Sequence, residues 1–296
     1  MGIGARPAAE AAIDASLARA LLADQHPDLA DRELVEAASG WDNVLYRVGD
    51  DLVARLPRRE AAAALVQHEQ RWLPELAARL PLPVPVPVRV GRPALGYPWA
   101  WSVCRWLPGE PAVFASALDP RRAALALAEF LRALHRPAPP DAPHNPYRGV
   151  PLAERAERVL DTVERLGPEH VDPGLLARWN EWSRAPAWPG PPMWLHGDLH
   201  PANLLAADGR LCAVIDFGDL CGGDPAVDLA VAWMLLPPAA HGPLAEYAAE
   251  LDAAAWTRAR AWALALGLAH LASSADSASS AIIGRRTLDA LLAVPG

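Results

Sequence analysis

One stretch of the 296-residue chain restricts its fold more than any other: MWLHGDLHPANLLAADGRLCAVIDFGDL, from Met193 to Leu220. Asp208 and Gly209 lie between two apolar runs, LLAA and RLCAV. An Asp-Gly pair tolerates positive φ at both positions, which is what a two-residue type I′ hairpin turn requires. A turn centred on the pair sets Ala207 opposite Arg210, Leu205 opposite Cys212 and Asn203 opposite Val214. Side chains alternate along a strand, so Asp216 then shares a face with Val214 and with Asn203. The hairpin predicts a carboxylate and an amide oxygen at its open end. Asp198 stands just ahead, after a strand-like MWL and a His-Gly turn. Oxygen donors of this kind suit Mg²⁺, which takes few protein ligands and fills its shell from substrate phosphates. A second reading is open at this point: His196, Asp198 and His200 alternate as zinc ligands on a strand would. Pro201 limits a regular strand there, and the remaining histidines show no paired spacing.

Around this stretch the pattern changes along the chain. Residues 8–25 read as an amphipathic helix, and 31–37 as a short helix or the approach to a strand. VLYRV and LVARLP flank Gly49 and Asp50 as a hairpin. Residues 60–78 have helical spacing, with Pro74 expected to kink or break the helix near its end. Leu80–Pro93 carries proline at alternate positions, which excludes a central strand and leaves a surface connection or an edge strand. Trp99–Glu110 reads as a strand running into a Pro-Gly turn. Helical patterns then cover 120–135, 151–166, 173–184, 225–236, 243–251, 255–272 and 279–292. The expected organisation is a strand-rich part over residues 1–105 and a mainly helical part over 106–296, with a cleft between two such parts as a natural ligand site.

Composition narrows the partners. The net charge of −8 is concentrated in the second part: 12 Arg face 13 acids over residues 1–109, against 15 Arg and 22 acids over 110–296. An acidic surface does not make a nucleic-acid groove and fits a cationic or neutral small ligand better. All 27 basic residues are Arg, so neither a Schiff-base lysine nor a Walker-type G-K-[ST] loop can form. Three scattered cysteines give no disulfide framework. The acids among the first apolar residues argue against a signal peptide, and no run of about 18 apolar residues predicts a membrane span. These features predict a soluble cytoplasmic protein with no nucleic-acid or membrane partner.

HGDLHPAN, followed by VIDFG with its aspartate 18 residues after the first, resembles the aminoglycoside phosphotransferase family. GGDPAVDLAVAW beyond it is also similar. The resemblance implies an α+β, protein-kinase-like fold of two lobes, a small antiparallel-sheet lobe and a mainly helical one. It implies transfer of the γ-phosphate of ATP or GTP to a hydroxyl of a small molecule. Asp198 would be the catalytic base, Asn203 and Asp216 would hold Mg²⁺, and Asp228 would bond back to the catalytic loop. Protein kinases proper carry H-R-D and a later A-P-E; this chain has His-Gly-Asp and no A-P-E, which argues against a protein substrate.

The same resemblance implies a basic residue on the third strand paired with an acid on the next helix. LVARLP offers Arg55, where the family usually has Lys. Leu65, Glu69, Trp72 and Leu76 form one helical stripe in which Glu69 is the only charge. A carboxylate on an apolar face needs a partner, and Arg55 is the candidate. There is no G-x-G-x-x-G loop; Gly40, Trp41 and Asn43 are the candidate phosphate-side contacts. The backbone at Cys104, Arg105 and Trp106 is the candidate hinge for the purine. For the acceptor the resemblance and the acidic charge favour an aminoglycoside-type antibiotic, with Asp219 and Asp224 as candidate contacts and Glu246, Glu250, Asp252 and Asp276 as further acids. A macrolide, a sugar or an amino alcohol is the alternative acceptor. A metallohydrolase on His196, Asp198 and His200 and a non-catalytic nucleotide-binding module are the alternatives of another class.

Overall fold

The computed structural model describes residues 8–167, 171–275 and 277–293. The chain divides into two compact units. Among the described residues, one comprises 8–108 with 216–218, and the other those of 109–215 and 219–293.

The first unit is built on a five-stranded antiparallel sheet. Helix α1 (Ala15–Gln25) precedes strands β1 (Leu34–Ser39), β2 (Asn43–Val48) and β3 (Leu52–Pro57). Helix α2 (Glu60–Ala77) follows, then β4 (Pro87–Gly91) and β5 (Trp101–Arg105), in the spatial order β1-β2-β3-β5-β4. Asp14 accepts the Leu17 amide and so starts α1 later than the apolar pattern begins. The β2–β3 turn is the expected one, with Gly49 at φ 63°. Period two divides β3. Leu52, Ala54 and Leu56 join Leu21, Leu22, Tyr46, Val48 and Trp101 in one core. Val53 and Arg55 therefore take the opposite face. The proline-rich segment ends in β4 at the sheet edge, interrupted by a bulge between Pro87 and Arg89.

In α2 the buried residues are Ala62, Val66, Glu69, Leu73 and Leu76, so Val66 and Leu73 complete the stripe where Leu65 and Trp72 were expected. The helix runs through Pro74 to Ala77. Pro74 is exposed, and the donor it lacks is missing at the solvent side rather than in the core.

The second unit begins with β6 (Glu110–Pro111) and helices α3 (Pro120–Leu134), α4 (Ala156–Leu166) and α5 (Pro173–Trp182). Strands β7 (Met193–Leu195), β8 (Leu204–Ala207), β9 (Arg210–Val214) and β10 (Cys221–Gly223) follow, and then α6 (Ala226–Leu229), α7 (Val231–Leu235), α8 (Gly242–Leu251), α9 (Ala255–Ala272) and α10 (Ala278–Leu292). The expected helix over 225–236 is broken at Ala230 into α6 and α7. Trp233 and Trp262 lie in the core at 1% and 0% exposure. Strand β7 pairs with β10, and β8 pairs with both β6 and β9. Among the described residues no helix is long and apolar enough to cross a membrane.

Candidate active site

The Asp-Gly turn forms as its chemistry demands: Asp208 and Gly209 sit at φ 50° and 72°, and Ala207 pairs with Arg210 and Ala206 with Leu211. The register then slips. A bulge sets Leu205 opposite Ala213 and Leu204 opposite Val214, so the expected pairing of Asn203 with Val214, and the shared face deduced from it, do not hold. Cys212 is the extra residue. The Ile215 amide instead donates to the Asn203 carbonyl at 2.9 Å.

Strand β7 delivers the loop that follows. Asp228, fully buried in α6, accepts the His196 amide at 2.7 Å and the Gly197 amide at 2.9 Å. His135 from the end of α3 approaches the same carboxylate at 3.2 Å and Tyr247 at 2.8 Å. Asp228 thus does bond back to the loop. Gly197 has φ 83°, and a Cβ there would lie 2.4 Å from the Asp219 carbonyl oxygen, so the residue before Asp198 must be glycine. His196 has both ring nitrogens engaged: Nδ1 accepts the Asp198 amide and Nε2 donates to the Ile215 carbonyl. A ring held this way is not a zinc ligand. Among the described residues no group of three or more His, Cys, Asp or Glu is arranged to hold a metal, and the zinc reading is set aside.

The Asp198 carboxylate is gripped on both oxygens. Arg148 Nη2 donates to Oδ1 at 2.8 Å, and His200 Nε2 lies 3.3 Å from Oδ2. His200 Nδ1 accepts the Ala202 amide, which puts the ring proton on Nε2, facing Asp198. His270 of α9 packs edge-on against His200 at 4.8 Å. Burial works against the charge on Asp198, but Arg148 and His200 outweigh it and hold the carboxyl well below the usual carboxylate range. Burial pushes His270 down to about 3, leaving it neutral. Arg148 also reaches Asp219, with Nε 3.2 Å from Oδ2, and Asn145 donates to Oδ1 of Asp219 at 2.8 Å.

Asn203 donates its Nδ2 to the Asp198 carbonyl at 3.0 Å, and that bond fixes the amide and leaves Oδ1 as the atom open to a cation. Asp216 belongs to the sheet unit. It sits at φ 63° with its side chain 58% exposed and Arg55 3.9 Å away, beyond hydrogen-bond distance. Both residues offer the hard oxygens that Mg²⁺ takes.

In the sheet unit Arg55 Nη1 meets Glu69 at 2.9 Å, with both side chains buried. Burial opposes the Arg55 charge, and Glu69, with help from Asp216, more than restores it. Gly40 donates its amide to the Asn43 carbonyl at 2.8 Å and closes the β1–β2 turn, with Trp41 exposed. Cys104 is fully buried within β5, and burial pushes its thiol up to about 11. Arg105 is exposed. The Trp106 amide donates to the Asp51 carbonyl at 2.8 Å, so that one expected hinge donor is already committed. Asp224 also departs from expectation. It is 6% exposed and binds Arg258 through both oxygens, at 2.7 and 3.2 Å, a structural ion pair rather than a substrate contact.

Sequence reasoning missed Arg148, Asn145 and His270. Two acids, Asp198 in the loop after β7 and Asp219 just ahead of β10, share Arg148, but nothing in the spacing says which of 27 arginines supplies that cation.

A five-stranded sheet with a buried Arg–Glu pair, and an ordered His-Gly-Asp loop with Asn five residues on, together define a kinase-like phosphotransferase. Residues 33–262 match the family model described as the phosphotransferase enzyme family, and the chain belongs to that family. Its structure is similar to the GDP complex of aminoglycoside 2'-phosphotransferase-IIIa, with TM-score 0.68 and 21% identity over 95% of this chain and 98% of that one. Macrolide 2'-phosphotransferase MphH from Brachybacterium faecium is similar at TM-score 0.59 and 23% identity over 95% and 98%. At these identities the likeness carries the α+β fold. A curated relative, the uncharacterized protein YcbJ of Bacillus subtilis, is 30% identical over 105 residues, which span 35% of this chain and 33% of that protein.

Proposed function

We propose that this chain transfers the γ-phosphate of a purine nucleoside triphosphate, ATP or GTP, to a hydroxyl of a small molecule, with Asp198 as the catalytic base. The observation that carries the reading is the Asp198 carboxylate: ionised, half-buried, and fixed in direction by Arg148 and His200. Each of its oxygens keeps a lone pair after these bonds. Asp198 orients the acceptor hydroxyl and takes its proton as the phosphoryl group arrives. A depressed pKa makes it a weak base, and a weak base suffices because the transition state of phosphoryl transfer is loose and demands positioning more than proton abstraction.

Asn203 and Asp216 are the residues that would hold Mg²⁺, and a bound Mg²⁺ would neutralise phosphate charge in the transfer. Arg55, braced by Glu69, reaches the phosphates; its fork of donors serves a carboxylate and a phosphate at once, which a lysine would do as a point charge. Gly40 and Asn43 line the phosphate side of the nucleotide, and the backbone at Cys104 and Arg105 the purine side. The names of the structural neighbours make aminoglycosides and macrolides the first acceptor classes to test.

The experiment is nucleoside diphosphate release from ATP and GTP across aminoglycosides, macrolides, sugars and amino alcohols. Asp198→Asn is expected to lower turnover by about 10²–10⁴-fold with nucleotide affinity retained. Full activity in that variant overturns the assignment.

A further inference from the structure

The acidic composition of the second unit predicts a cationic acceptor, but four of the six acids named as candidate contacts are already paired. Asp219 is held by Arg148 and Asn145. Asp224 and Asp252 both bind Arg258, and Glu250 binds Arg132 through two bonds at 2.6 and 3.0 Å. Glu246 is exposed, and Asp276 lies outside the described residues.

Among the described residues of this unit, a buried side chain without a carboxylate partner carries the opposite sign. Arg155 closes a 3-10 turn (Leu152–Arg155) just ahead of α4 and is 7% exposed. Its Nε and Nη1 are buried with no hydrogen-bond partner among the described residues. Its guanidinium lies 5.7 Å from the Trp262 ring centroid, a contact that satisfies no N–H. Among the described residues, the charged groups that act on it are Arg148 and Arg158, both cations, with the Tyr147 hydroxyl as the acidic group. Burial and these neighbours bring its pKa down to about 10, so it remains charged at neutral pH. Arg55, Arg132, Arg148 and Arg258 each face carboxylates.

A buried guanidinium without a counter-ion is costly. Its fork of donors matches the paired oxygens of a carboxylate or phosphate. Arg148, within electrostatic range of Arg155, is also the residue that touches Asp198. We propose that the acceptor carries an anionic oxygen group, a carboxylate or a phosphate, and that Arg155 binds this group beside the catalytic loop. The proposal rests on the phosphotransferase reading and replaces the polycationic acceptor with an anionic one.

The test measures nucleoside diphosphate release with acceptors matched in their hydroxyls: glucose, glucuronate and glucose 6-phosphate; glycerol, glycerate and glycerol 3-phosphate; and kanamycin as the polycation. The anionic members should exceed their neutral counterparts at least tenfold in kcat/KM. Arg155→Gln should abolish that preference through KM with kcat kept, and Arg155→Lys should restore part of it. Preference for glucuronate and glycerate assigns a carboxylate; preference for the phosphate esters assigns a phosphate. Equal or better use of neutral or cationic acceptors, unchanged by Arg155→Gln, overturns the proposal. Should no acceptor of the panel be used, thermal shifts of the nucleoside diphosphate-saturated protein with inorganic phosphate and with acetate decide. A rise in Tm that Arg155→Gln removes supports the site; no rise, or the same rise in the variant, overturns it. Failure of the underlying kinase reading registers separately, as loss of nucleotide binding and of all triphosphate turnover, hydrolysis included.

Discussion

Arg55 in the sheet unit and Arg155 in the helical unit are both buried, at 8% and 7% exposure, and they are treated in opposite ways. Arg55 meets Glu69 at 2.9 Å, with Asp216 close by. Arg155 meets an aromatic ring and two further cations. The sheet unit balances its own charge, so its cation is a prebuilt part whose position does not depend on a ligand. The helical unit leaves a charge for something outside the chain to balance. A buried ion pair that is broken on one side strands the other charge, whereas removing a charge that was never paired strands nothing.

The largest expected effect follows from the paired side. Arg55→Met leaves Glu69 buried and alone, and should cost about 3–5 kcal/mol in denaturant unfolding; a loss under about 1 kcal/mol would erase the contrast. Arg148→Met tests the catalytic loop. Arg148 lies 2.8 Å from Asp198 and holds its carboxyl low. Without it the carboxyl rises toward its ordinary value, the base form is lost at a higher pH, and the acid limb of kcat/KM should move up by about one pH unit or more. A limb that stays put removes Arg148 from the control of Asp198. Smaller is Glu250→Ala, which breaks an exposed pair with Arg132 and should cost less than about 1 kcal/mol, measured by the same unfolding. Smallest of all is Arg155→Met, for which the unfolding midpoint of the ligand-free protein should hold or rise. A clear fall would show that Arg155 is a structural residue after all.

What was legible in the sequence was local. The Asp-Gly pair announced its turn because positive φ at two successive positions is a property of those residues alone. The Arg55–Glu69 pair was legible for a related reason: one charge in an apolar helical stripe has to be neutralised, and the adjacent strand held one candidate. What failed was long-range. The bulge at Cys212 shifts the register between two strands whose turn was read correctly, because β8 must also pair with β6 and a hairpin taken alone contains no such demand. Asp224 read as an acid near the site, but its partner Arg258 lies 34 residues on, and no periodicity joins them. Arg148 sits in the segment HNPYRG, 50 residues before Asp198, where Pro and Gly erase the helical and strand periods that made Glu69 visible. The α+β class and the Asp-Gly turn are thus readable from residue chemistry, while the charged partners of Asp198 are not.

The arginine at the third strand also changes which reagents can reach the cation proposed to bind phosphate. With no lysine anywhere in the chain, electrophiles that acylate or sulfonylate a side-chain amine, a common route to blocking kinases covalently, find no side-chain target here. Guanidinium-directed dicarbonyls are the matching chemistry. Arg55 is shielded by Glu69 and by its burial, so such reagents should first mark the exposed arginines and spare this one while the sheet unit stays folded.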